Sequence, residues 1–240
     1  MLAEFETAIS RERFRPFVQL AQGDLSVALA AYQLNILLAT QFGPAIHMWE
    51  ICLRNRLDSA LVQGFGEAWH LQSERRNRSF AKKELSSLHK ATVHVARHQP
   101  GMTPRRSQVV TELGAGFWVS LLSRSYSANP RFGSLLRTVV FPKAEIPLAQ
   151  LHSTAENIRM LRNRIAHHEP VLWLELDRSW FGTREMIGLL SASALACLRQ
   201  CESNSPAITR WRVLKPWIMA RGCEPFSMTE HQPVLMGLHD

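Results

Sequence analysis

Apolar residues in this chain recur at three- and four-residue spacing and almost nowhere alternate, which predicts helices and no substantial sheet. Phe5, Ile9, Phe14 and Phe17 predict a short first helix interrupted at Ser10 or Pro16, and Gly23-Asp24 offers a turn and cap for the next. Alanines and leucines over residues 25–38 predict a helix with one buried face, which Gly43-Pro44 is expected to break. A new helix is expected over 45–62, buried through Ile46, Trp49, Leu53, Leu57, Ala60 and Leu61 and ended by Gly64-Phe65-Gly66.

After a polar loop, residues 82–97 are again helix-compatible, with Leu85, Leu88, Val93 and Val95 partly buried. A loop at 100–104 precedes a helix capped by Ser107 and running through Val110, Leu113, Phe117, Trp118 and Leu121. Phe117 and Trp118 are expected to pack in the core rather than stack on bases. Residues 135–141, rich in β-branched side chains, form a short apolar segment between turns. A long helix is expected over 148–167, stopped by Pro170, and a closing helix over 183–200. From Pro206 no period is sustained, so 206–240 reads as an irregular tail packed through its tryptophans. The expected architecture is an all-α bundle over 1–205 followed by that tail.

Composition narrows the partners. The net charge is +8 over 240 residues, and residues 74–106 alone hold nine Lys/Arg (75, 76, 78, 82, 83, 90, 97, 105, 106) against Glu74 and Glu84, a local net of +7. Such a patch fits a polyanion, whose counterions it would release, or a solvated helix face. Arg75, Arg76, Arg78, Lys82, Lys83, Arg105 and Arg106 are the candidate RNA-binding residues. The longest run of apolar and small residues, over 189–197, is about half of a bilayer span, and the acidic N-terminus has no secretory pattern. No membrane partner and a cytoplasmic location are therefore expected. Cys52, Cys197, Cys201 and Cys223 are too few and scattered for a disulfide framework and are expected to be buried thiols.

The densest chemistry lies in Leu161-Arg162-Asn163-Arg164-Ile165-Ala166-His167-His168-Glu169-Pro170. With Arg162 at zero on an ideal helix, Ala166 falls near about 40°, Asn163 near about 100° and His167 near about 140°. Ile158, Leu161 and Ile165 gather on the opposite, buried side. Arg162 and His167 are too far apart around the helix to form a catalytic pair in one protomer, whereas a two-fold dimer would gather two of each. His168 falls near about 240°, beside the apolar face, where a semi-buried supporting role is expected for it, with Glu169 also in support. Leu53-Arg54-Asn55-Arg56 repeats the tetrapeptide, but Ser59 stands where the later copy has His167, and Glu50 is placed to pair with Arg54 one turn on. Neither His167-His168-Glu169 nor the pair His94/His98 has the spacing of a metal site; His94 and His98 are read as surface histidines, and no metal or cofactor is expected.

Arg162-Asn163 with His167 matches the R-N-x-x-x-H signature of the HEPN superfamily, and the string 161–170 resembles its Abi-like (abortive infection) branch. Other segments agree in order: 9–14, Tyr32 with Asn35, 50–55, Gly66 with Trp69, and 116–121. The resemblance covers about residues 9–180 and departs after Tyr126, at Ser127-Ala128-Asn129-Pro130. It implies a helical HEPN domain that homodimerises through the motif face and cleaves RNA without a metal. Arg162 would hold the scissile phosphate, Asn163 would position the motif and His167 would transfer protons. The implied setting is a toxin in phage defence, restrained by an antitoxin protein or a noncoding RNA. Two function classes stay open: that endoribonuclease, and a catalytically silent HEPN-type module binding RNA or a protein. A DNA-binding regulator lacks an assignable helix-turn-helix.

Overall fold

The computed structural model describes residues 2–71, 80–99, 101–201 and 206–220. They form an all-α protein, with no strand among the described residues. In chain order the helices are α1 (Leu2–Ile9), α2 (Arg11–Leu20), α3 (Leu25–Phe65), α4 (Lys82–His98), α5 (Arg106–Glu112), α6 (Ala115–Ser120), α7 (Arg124–Ser127), α8 (Pro130–Leu135), α9 (Leu148–Ala166), α10 (Leu176–Leu190), α11 (Ala192–Cys201) and α12 (Pro206–Ala220). The described residues fall into two compact units, one from Met1–Pro44, Asn163–Arg178 and Cys201–Asp240, the other from Ala45–Arg162 and Ser179–Gln200. The division passes through four helices: after Pro44 in α3, after Arg162 in α9, after Arg178 in α10 and after Gln200 in α11.

The first unit is built on aromatic packing. Tyr32 meets Phe17 edge-on at 5.1 Å and Phe14 at 6.0 Å between ring centroids, and Phe17 also touches Trp173 at 5.2 Å. Ser10 separates α1 from α2 at a positive φ and caps α2 through its side-chain oxygen. Pro16 lies within α2 and does not break it. Asp24 caps α3 by accepting from the amides of Ser26 and Val27. The expected irregular tail is corrected for its first part: 206–220 is a helix, with Trp211, Leu214, Trp217 and Ile218 buried on one face. It is tied down by Trp211 Nε1 donating to the Leu172 carbonyl and by the pairs Arg212–Asp177 and Lys215–Glu175. The rest of the tail, 221–240, lies outside the described residues.

The expected break at Gly43-Pro44 is also corrected, because α3 runs on for 41 residues. Pro44 lacks an N–H and leaves the carbonyl of Thr40 without its helical donor, but Gly43, Pro44 and Thr40 are all exposed, so water can satisfy that oxygen. By length and composition α3 could cross a bilayer, yet Val27, Ala31, Leu34, Trp49, Leu53, Leu57 and Leu61 are buried in protein.

The second unit packs the far half of α3 against aromatic side chains from later elements, with Trp69, Phe80, Phe117 and Trp118 in mutual ring contact. Trp118 donates from Nε1 to the Leu113 carbonyl and Trp69 to Asp58, so both indoles are satisfied. Tyr126 donates to the buried Glu84 and accepts from the Ala81 amide; burial, foremost, raises its phenol pKa. The segment after Tyr126, where the family resemblance departs, has a structural role. Asn129 caps α8 by accepting from Arg131 and Phe132, with Pro130 in the first turn.

Four further expectations change. The helix expected past Ser107 is two helices, parted at Leu113-Gly114, and Arg105 rather than Ser107 is its cap. The closing helix is likewise split, at Ser191, into α10 and α11. The β-branched segment 135–141 is helical, with α8 passing into a π-turn over Leu136–Val140. Cys197 and Cys201 are exposed rather than buried and Cys52 is half-buried; Cys223 lies outside the described residues. Burial pushes the Cys52 thiol pKa up, with a smaller opposing pull from Arg56.

Candidate functional site

α9 presents the motif on its last turns. Leu151, Ala155, Ile158 and Leu161 bury one face, and Ile165 is half-buried, so the apolar stripe falls where the periodicity places it. Arg162 and Asn163 are half-buried, and His167 is exposed. The amide of His167 still bonds the Asn163 carbonyl at 2.9 Å, so His167 completes the helical register four residues after Asn163.

The helix then stops in a defined way. The Glu169 amide reaches back to the Arg164 carbonyl at 2.8 Å and the His168 amide to that of Ile165 at 3.1 Å, while His168 takes φ 56°. This is a Schellman stop with histidine in the left-handed place that glycine usually fills. It is braced from outside by Arg13, whose Nη1 donates to the His168 carbonyl at 2.7 Å, and from α9 itself by Arg164, whose Nη1 donates to the carbonyl of Pro170 at 3.0 Å. The Glu169 carboxylate lies 3.7 Å from Arg164 Nε. His168 is therefore exposed, not semi-buried. Its angle on an ideal helix does not apply, because the helix has ended. His168, Glu169 and Pro170 shape the stop.

The chain beyond the stop is anchored by Asn35, 7% exposed, whose Oδ1 accepts from the Val171 amide at 2.7 Å and the Leu172 amide at 3.1 Å. Both residues are fully buried. An asparagine one turn after Tyr32 thus fixes the chain just past the motif, through contacts 136 and 137 residues apart in sequence.

Arg162 is not free. Its Nε donates to Glu50 Oε2 at 3.3 Å. Its terminal nitrogens make no hydrogen bond with a described residue, so the fork that grips phosphate bidentately stays open. This corrects the expected pairing of Glu50 with Arg54, whose Nε is buried without a hydrogen-bond partner. Glu50 could not be found by sequence spacing, because the contact spans 112 residues.

Of the candidate basic residues, Lys82 and Lys83 are exposed on the first turn of α4 and Arg105 is exposed at the start of α5. Arg106 is bound to Glu67 and lies 3.5 Å from Asp58, so its charge is offset within the fold. Arg75, Arg76 and Arg78 lie outside the described residues. His94 and His98 are exposed on α4, their rings 4.5 Å apart and tilted by 45°, with His94 3.6 Å from Glu112. Among the described residues no three His, Cys, Asp or Glu gather closely enough to hold a metal ion. Comparison with protein-family models, with curated proteins and with solved structures gives no match.

Proposed function

We propose that the protein is an Abi-like HEPN endoribonuclease that works without a metal ion, dimerises through the motif face and acts as a toxin in phage defence. The reading places it in the cytoplasm, under an antitoxin protein or noncoding RNA. The observation that carries it is the end of α9, where Arg162, Asn163 and His167 occupy one helical terminus and a braced stop leaves the His167 ring exposed.

The chemistry asks for little more. The RNA 2′-hydroxyl loses a proton to a base, its oxygen bonds the adjacent phosphorus, the P–O5′ bond breaks and the leaving oxygen takes up a proton. The products are a 2′,3′-cyclic phosphate and a 5′-hydroxyl. Imidazole suits either proton transfer at neutral pH, and the open fork of Arg162 suits the charge that grows on the phosphate. One protomer supplies one such histidine, so two copies facing each other supply both base and acid.

The engagement of Arg162 by Glu50 favours the second reading, a silent HEPN-type module that binds RNA or a protein, because a carboxylate beside the arginine repels phosphate. One experiment separates the two. Purified protein should cleave RNA in the presence of a chelator, leave a 2′,3′-cyclic phosphate and spare a substrate with a 2′-deoxy sugar at the scissile position. His167→Ala should abolish cleavage while keeping the helical circular dichroism spectrum. Equal cleavage by that variant would overturn the role given to His167. Inducing both forms in cells and comparing growth tests the toxin reading.

A further inference from the structure

The outer face of α4 carries a second cationic feature that the motif does not use. Lys83, Lys90, His94 and Arg97 stand at helical offsets of 0, 7, 11 and 14 and therefore on one face. All four are exposed, and the three permanent cations form no ion pair with a described residue. Lys83 to Arg97 spans about 21 Å along the helix. Two hollows flank this ridge and share Lys90 and His94. One, of about 490 Å³, is walled on its far side by Glu112, Gly114, Gly116 and Phe117; the other, of about 330 Å³, runs on to Arg97.

We infer that this ridge and its two hollows bind the sugar–phosphate backbone of a single strand of nucleic acid. Its length and open form suit a polymer better than a small molecule, which needs an enclosed, mostly apolar pocket. Its chemistry suits phosphate better than protein, since among the described residues none of the large exposed apolar side chains lies on it to act as an anchor. The far wall is bare backbone at Gly114 and Gly116, where nothing stands within 4 Å of an added Cβ, so a strand can approach closely. Lys83 stands in the first turn of α4, where the helix dipole disfavours a cation; a purely structural role does not account for it.

Two carboxylates face the ridge, and they differ. Glu84 is buried and turned to the Tyr126 hydroxyl. Glu112 is exposed and sits 3.6 Å from His94 Nε2, where it competes with phosphate. Charge removal at Glu112 should therefore tighten binding, an effect opposite in sign to that of losing a lysine.

The inference rests on the RNA reading only for the natural polymer, and binding is measured apart from cleavage. Fluorescence anisotropy with a 2′-O-methyl RNA 12-mer, which the proposed chemistry cannot cleave, and with a DNA strand of equal length gives the affinities. Lys90→Glu/Arg97→Glu should weaken both by roughly tenfold or more at low salt and flatten the salt dependence by about 0.7 per lost phosphate contact. Glu112→Gln should tighten binding about two- to threefold. Arg137→Glu, an exposed charge reversal on another element, should change affinity much less. Equal weakening by Arg137→Glu, or no response to Lys90→Glu/Arg97→Glu in folded protein, overturns the ridge. Tighter binding to RNA than to DNA identifies RNA as the natural strand, and equal binding leaves the shared phosphate chemistry as the ligand. A wild-type protein that cleaves no RNA but has a responsive ridge would defeat the nuclease reading alone.

Discussion

The protein contains the tetrapeptide Leu-Arg-Asn-Arg twice, on α3 at residues 53–56 and on α9 at 161–164, and the two copies share their local fold but not their surroundings. In both, the leucine is buried, at 1% and 3% exposure. In both, the second arginine is used on a carbonyl, Arg56 on Leu190 and Arg164 on Pro170. The copies part at the position four residues after the asparagine. On α3 the helix continues and the Ser59 hydroxyl folds back onto the Asn55 carbonyl. On α9 the helix stops, and His167 is exposed with its amide on the Asn163 carbonyl. The second arginine thus belongs to scaffold in both places, and the histidine and the stop after it make the second copy different. The two also meet through Glu50: it precedes the first copy by one turn and holds the arginine of the second.

The largest test of this comparison is catalytic. His167→Ala should lower RNA cleavage by about 10²–10⁴-fold, the scale of a lost general acid or base, and Ser59→Ala should leave the rate unchanged. Matching losses from both would erase the distinction. Next is the anchor beyond the second copy. Asn35→Ala strands two buried amides and should cost about 2–6 kcal/mol of stability in denaturant unfolding, at roughly 1–3 kcal/mol for each unsatisfied group. A smaller effect is expected from Glu50→Gln, which keeps an acceptor beside Arg162 and removes the charge. It should lower KM for RNA about two- to threefold with kcat little changed, because the pair is half-exposed and screened. The smallest test has opposite signs in the two copies. His168→Gly should stabilise by about 0.5–1 kcal/mol, since glycine takes a left-handed φ freely. Ala60→Gly, at the matching place inside α3, should destabilise by about 1 kcal/mol or more. Thermal unfolding of both variants reads this directly.

Much of the fold was legible because burial follows the helical period. The stripe from Ile46 to Leu61, the cap at Asp24, the stop at Gly66 and the span of α9 all come from local pattern. Breaks were less legible, since they depend on the surroundings of a residue. Pro44 reads as a terminator, yet its exposure lets α3 pass through it. Leu113-Gly114 lies inside a periodic run and still divides it, with the Leu113 carbonyl engaged by Trp118. In α12 the buried positions keep a helical spacing, but Pro206 and Pro216 obscured it. In the site, the arc of Arg162, Asn163 and His167 could be computed from spacing. The Glu50 contact and the Asn35 anchor could not, because they join residues more than a hundred positions apart. The left-handed turn at His168 was hidden because the residue there is not glycine.

The stop at His168 also sets a phase. Each residue inserted between Arg162 and His167 would rotate the imidazole by about 100° and advance it about 1.5 Å along the axis. A one-residue insertion there would keep every side chain of the motif and destroy their common bearing. An insertion beyond the Asn35-anchored residues Val171 and Leu172 would leave that bearing intact. A change in length should therefore be tolerated only downstream of this turn, which acts as a reference mark against which the motif is indexed.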